Sequence, residues 1–220
     1  MTSGPPGDPG VAPALEVLVR ISASIASSDW DAVEADFGRL AAASCPLEGV
    51  EEMILQLYLF VGFPAALTAA GIWRDLVGQT AIDTDPLAEP GRLDEWEERG
   101  VTVCRTVYGP TYEALRTNVS RVHPALDRWM VLEGYGKVLG RPGLVLWQRE
   151  LLIVAMLAAG GWEEQLHSHL RGALRAGADR ESVERALEIG LERVDPSRAA
   201  HLRSVWNRVK AGADGEPDVH

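Results

Sequence analysis

A carboxylate and an imidazole set at matched distances from a glycine turn can form a proton-transferring pair. Glu150 stands ten residues before Gly160, and His169 stands nine after it. If Gly160-Gly161 turns a helical hairpin, the second helix retraces the rise of the first. At about 1.5 Å per residue both side chains then sit roughly 15 Å from the turn. A carboxylate beside an imidazole orients the ring and favours its charged form, as a general acid or base requires. Spacing alone leaves the rotation about each axis open. Glu150 reads equally as an exposed first-turn residue favoured by the helix dipole.

Other polar residues carry weaker signals. His167 and His169 are two apart, about 200° around a helix, so their rings point to opposite sides. A chelating pair would need a spacing of three or four, and no metal site is expected. His169 is the inward one, because Leu166, Leu170 and Ala173 share its side. His123-Pro124 reads mainly as a helix entry. Arg141, in the turn Gly140-Arg141-Pro142-Gly143, is either a loop arginine capping carbonyls or a carboxylate clamp. Cys45 and Cys104 lie 59 residues apart without a CxxC motif and read as buried small hydrophobes. The chain has no phosphate-binding glycine loop and no GxSxG elbow.

The elements that must position these residues are helical. Leu15, Leu18, Val19, Ser22 and Ile25 share one helical face. Asp29 can cap a helix entering at Trp30 and ending near Ser44-Cys45-Pro46. A helix with Val50, Met53, Ile54 and Leu57 stops at Gly62-Phe63-Pro64, and another runs to about Val77. Residues 79–90 read as a linker between a helical half at 13–78 and a domain at 91–210. In the second part, Pro124 opens a helix through Leu139. Residues 145–159 make an apolar helix that should be central, because beyond Glu150 every face is apolar. Trp162 to Ala176 follows, with Gly177 as a left-handed stop, then helices near 180–193 and 196–210. Residues 1–12 and 211–220 read as disordered tails. The fold class is all-α.

Composition narrows the function. The 220 residues are 46% hydrophobic and 24% charged, and 21 basic against 32 acidic side chains leave a net charge of −11. Nucleic-acid binding would need clustered Lys and Arg, so no nucleic-acid partner is expected. The longest apolar run, Leu151 to Ala159, is about half a membrane span, so no membrane partner is expected. The opening MTSGPPGDPG lacks a basic and an apolar region, which predicts a cytoplasmic protein.

The chain also repeats itself weakly. SSDWDAVEADFGRLAAASCPLEGVEEMI lies over AGGWEEQLHSHLRGALRAGADRESVERAL with one gap, matching Trp30 to Trp162, Val50 to Val183 and Ile54 to Leu187. Further on, Pro64 and Trp73 match Pro196 and Trp206. Two related helical halves packed together are the simplest architecture.

The stretch EGYGKVLGRPGLVLWQRELLIVAMLAAGGWEEQLHSHLRGALRAGADRESV resembles the carboxymuconolactone decarboxylase family, which includes the AhpD-like alkylhydroperoxidases. The resemblance rests on a YG pair, RPGL, RE before an apolar helix, and a histidine followed by Ala and Gly. It covers roughly Glu98 to Leu191. In the N-terminal half, EEMILQLYLFVGFPAALTAA resembles the family's closing helices. The peroxidase branch uses a glutamate, a CxxC pair and a histidine as a proton relay. Glu150 and His169 match its outer members, but Trp162 and Gln165 hold the cysteine positions. Opposite His169, the N-terminal half has Asp36 or Phe37.

This resemblance implies an AhpD-like helical fold and cofactor-free decarboxylation of a carboxylated lactone or a similar small organic acid. His169 would be the proton donor and Glu150 its orienting partner. Arg141 or Arg149 would contact the carboxylate or oxyanion, and Tyr135 would stand in the pocket wall. Family members assemble as rings, so a trimer of double-length chains is expected. Hydroperoxide reduction and a non-catalytic binding role are the alternatives.

Overall fold

The computed structural model describes residues 13–43, 47–78, 85–88 and 92–213. The tail expected at 1–12, residues 214–220 of the tail expected at 211–220, most of the linker expected at 79–90, and Cys45 lie outside the described residues, whereas 211–213 are helical and not a tail. Among the described residues the architecture is all-α, without strands. In chain order the helices are α1 (Pro13–Ala26), α2 (Trp30–Ala42), α3 (Leu47–Val77), α4 (Leu93–Tyr108) and α5 (Tyr112–Val122). They continue with α6 (Pro124–Trp129), α7 (Leu146–Gly160), α8 (Glu163–Arg175), α9 (Arg180–Leu191) and α10 (Pro196–Ala213). Between α6 and α7, Met130–Leu139 is wound as a π-helix.

Helix α7 is the centre of the molecule. Every residue from Arg149 to Ala158 is buried, as an all-round apolar helix requires. Helix α1 packs along it, and α8 and α9 enclose it on other sides. Local chemistry sets the helix ends. The Asp29 side chain accepts from the Ala32 amide at 3.2 Å, and Asp179 does the same for Ser182 at 2.7 Å. Gly161 (φ +70°) and Gly177 (φ +103°) supply the left-handed turns after α7 and α8.

Helix α3 is broken where expected. Gly62 takes φ +83° and ψ 164°, and Pro64 starts the second segment. The stretch Glu48–Val77 is apolar and long enough to cross a membrane by length and composition, a property that reading the sequence run by run passes over. Its Val50, Met53, Leu57, Ala69 and Trp73 nevertheless lie in the protein core.

The helix expected from Pro124 through Leu139 has that extent, but its second part widens into the π winding. Helix α4 meets this part backbone to backbone. A Cβ on Gly136 would lie 1.9 Å from the Trp96 carbonyl oxygen, and one on Gly100 would lie 2.1 Å from that of Val131. Only glycine permits this approach.

Candidate functional site

The Gly160-Gly161 turn brings Glu150 of α7 and His169 of α8 together. His169 Nδ1 lies 2.8 Å from Glu150 Oε2. Glu150 is fully buried and His169 is 5% exposed, so the exposed first-turn reading of Glu150 does not apply. Helix α7 starts at Leu146, which puts Glu150 in its second turn facing α8. Gly172, three residues beyond His169, makes the room. A Cβ there would stand 2.9 Å from Glu150 Oε2 and 2.6 Å from Val107 Cγ1. Glu150 Oε1 is buried without a hydrogen-bond partner, so His169 is the polar group that satisfies this carboxylate. With Glu150 ionised, Nδ1–H donates to it and Nε2 is the nitrogen turned away.

Aromatic edges from two other helices hold the imidazole. Phe60 of α3 meets it at 5.9 Å between ring centroids and 82°, and Tyr108 of α4 at 6.3 Å and 68°. His169 lines a cavity of about 390 Å³. The walls include Leu59 and Phe60 from α3, Tyr108 from α4, Trp129 from α6, and Glu133 and Tyr135 from the π-helix. Tyr108 and Tyr135 stand edge to face at 6.1 Å. Burial pushes the Tyr108 hydroxyl up to about 12 and the Tyr135 hydroxyl well above the ordinary tyrosine value. Both therefore keep their protons near neutrality and can act as donors.

The sequence-derived residues divide into two groups. His169, Glu150 and Tyr135 come together at the cavity. Arg141 and Arg149 do not line it. Arg141 makes a bidentate pair with Glu52 of α3 (Nε to Oε1 3.0 Å, Nη2 to Oε1 2.9 Å) and lies 3.0 Å from Asp85. Arg149 is fully buried, and its Nη2 donates to Glu52 Oε2 at 2.8 Å and to the Arg141 and Pro142 carbonyls. Arg141 clamps the Glu52 carboxylate rather than capping carbonyls, and the two arginines pin the loop before α7 to the N-terminal half. The reason is Glu52, a carboxylate brought in by a helix distant in sequence.

The remaining candidates have structural roles or lack chemistry. His123 Nδ1 accepts from the Ala125 amide at 3.1 Å, capping α6. Trp162 and Gln165 are exposed at the head of α8. Cys104 is buried, and burial raises its thiol to about 12. Asp36 and Phe37 are both buried in the N-terminal half. Among the described residues no group of three or more His, Cys, Asp or Glu is placed to hold a metal.

Sequence reasoning missed Phe60, Tyr108, Trp129 and Glu133 as cavity residues, and Glu52 as the arginine acceptor. For Glu52 there is a signal: Glu52 and Gln56 are four apart, a polar stripe inside an otherwise apolar helix. No comparable signal marks Phe60 or Trp129, which read as ordinary core aromatics.

Fold and site together define an all-α protein with a buried carboxylate–imidazole pair opening on an apolar cavity. The family model of the carboxymuconolactone decarboxylase family matches residues 124–207, so this region is similar to that family. The match contains Glu150, His169 and Tyr135. It starts later than Glu98, where the resemblance begins, and runs beyond Leu191 into α10. No curated protein matches the chain.

Proposed function

We propose that this protein is a cofactor-free acid/base enzyme of the decarboxylase type, releasing carbon dioxide from a carboxylated lactone or a similar small organic acid. The observation that carries this reading is the 2.8 Å His169–Glu150 contact at the wall of an apolar cavity. The carbon–carbon bond to the carboxylate breaks, and its electron pair moves through a double bond onto the carbonyl oxygen. The resulting dienolate takes a proton on carbon from Nε2 of the His169 imidazolium, which regains one from solvent. Glu150 holds the ring through Nδ1. The protonated hydroxyls of Tyr108 and Tyr135 are the available donors to the developing oxyanion. An apolar wall also removes water from the reacting carboxylate, whose charge is lost as carbon dioxide leaves.

Hydroperoxide reduction has less support, since the one cysteine among the described residues is buried and holds its proton. The two halves are proposed to be a tandem repeat. Supporting this, Trp73 and Trp206 are both buried, as are Val50 and Val183. Assembly of the chain as a homotrimer is likewise proposed.

The test is carbon dioxide release from a panel of carboxylated γ-lactones and β,γ-unsaturated acids, with wild type beside His169→Gln and Cys104→Ser. Release that is lost in the histidine variant and kept in the cysteine variant is the expected result. No release from any acid by the wild type would remove the reaction and leave a binding protein.

A further inference from the structure

We infer that the cavity beside His169 takes a small organic acid with one carboxylate on an uncharged, largely apolar body, and that Glu133 at its edge turns dianions away. Among the described residues the cavity lining contains no lysine and no arginine. Of those lining residues only His169 can carry positive charge, and it is backed by the carboxylate of Glu150 at 2.8 Å. Glu133 adds a second negative charge from the exposed side of the π-helix. Even with the imidazole protonated, the site is negative overall. One carboxylate can be seated at His169, but a second would face the Glu133 and Glu150 carboxylates with no counter-charge.

The guanidinium groups that could have met a second carboxylate are engaged elsewhere. Arg141 and Arg149 belong to Glu52 on another side of α7. Arg171 and Arg175 line a different depression, together with Asn118 and Ser168. Tyr108 borders both depressions, and Arg175 Nη1 donates to its carbonyl at 2.9 Å. The remaining walls of the His169 cavity, from Leu59 and Phe60 to Leu126, Trp129 and Met130, offer apolar and aromatic surface to a ring. A volume near 390 Å³ suits one or two rings.

The inference rests on the acid/base reading only for which carboxylate is lost; the binding preference stands on the cavity chemistry alone. Calorimetric titration of the full chain with benzoate, methyl benzoate and isophthalate tests it. Benzoate and the ester should bind, and isophthalate should bind at least tenfold more weakly than benzoate. His169→Gln should weaken benzoate and leave the ester unchanged, and Glu133→Gln should narrow the gap between benzoate and isophthalate. Isophthalate binding as tightly as benzoate, or no binding by benzoate and its ester, overturns the inference. A gap that Glu133→Gln does not move overturns the part given to that residue. The two readings fail separately. Preferential carbon dioxide release from a diacid keeps the reaction and overturns this inference, whereas monoacid binding without release keeps the inference and removes the reaction.

Discussion

Arg149, fully buried, gives its Nη2 to Glu52 Oε2 at 2.8 Å, closing a contact across 97 residues of chain. This bond fixes the first turn of α7 against α3, one residue before Glu150. Removing one partner of such a pair leaves the other as an uncompensated buried charge, which costs about 3–5 kcal/mol. Glu52→Ala is therefore expected to be destabilised by about that amount in urea unfolding. The double variant Glu52→Leu/Arg149→Met should recover part of the loss, because Arg149 is no longer stranded and Arg141 keeps Asp85 at 3.0 Å.

Gly172→Ala tests the space that seats the carboxylate. Its Cβ would meet Glu150 Oε2 at 2.9 Å and Val107 Cγ1 at 2.6 Å. Overpacking of this kind costs about 1–3 kcal/mol. Displacing Glu150 should also lower turnover by on the order of 10²-fold, since misplacement of about 1 Å has that effect. The expected pattern is thus a rate loss larger than the stability loss implies, read by kcat beside thermal unfolding.

The acid role of His169 predicts a drop in turnover of about 10²- to 10⁴-fold for His169→Gln, with the helical signal unchanged. His169→Gly should regain part of the rate when free imidazole is added. Glu150→Gln keeps the shape of the pair and removes its charge. Its expected effect is a smaller loss in kcat and a pH profile displaced from that of the wild type.

Cys104 gives a prediction about alkaline stability. Burial holds its thiol at about 12 in the folded chain, against 9.0 ordinarily. The unfolded chain therefore loses this proton first. The stabilisation is complete below pH 9, declines as pH rises, and is gone once pH passes 12. Between pH 9 and 11 the urea midpoint of the wild type should fall more steeply than that of Cys104→Ala. At pH 8 the native thiol should resist iodoacetamide and react only after denaturation.

The all-α class, the break at Gly62, the glycine stops at Gly161 and Gly177, and the matched heights of Glu150 and His169 were legible in the chain before it was folded. These follow from periodicity, capping and the fixed rise of a helix, which are local properties of the chain. The sequence also pointed His169 inward, because its apolar neighbours recur at helical spacing. Only the tertiary structure decided the rest. Whether Glu150 faced solvent or its partner depended on the rotation of α7, which is set by packing against α1, α8 and α9. The arginines read as carboxylate contacts are held by Glu52, from a helix about ninety residues earlier. The π winding of Met130–Leu139 is not marked by its apolar pattern, since Val131, Tyr135, Val138 and Leu139 recur at ordinary α-helical spacing. The cavity draws walls from α3, α4, α5, α6, the π-helix and α8, and the absence of lysine and arginine among its described lining residues exists only once those distant segments meet. Such contacts depend on which faces meet in three dimensions, and no spacing within one helix encodes them.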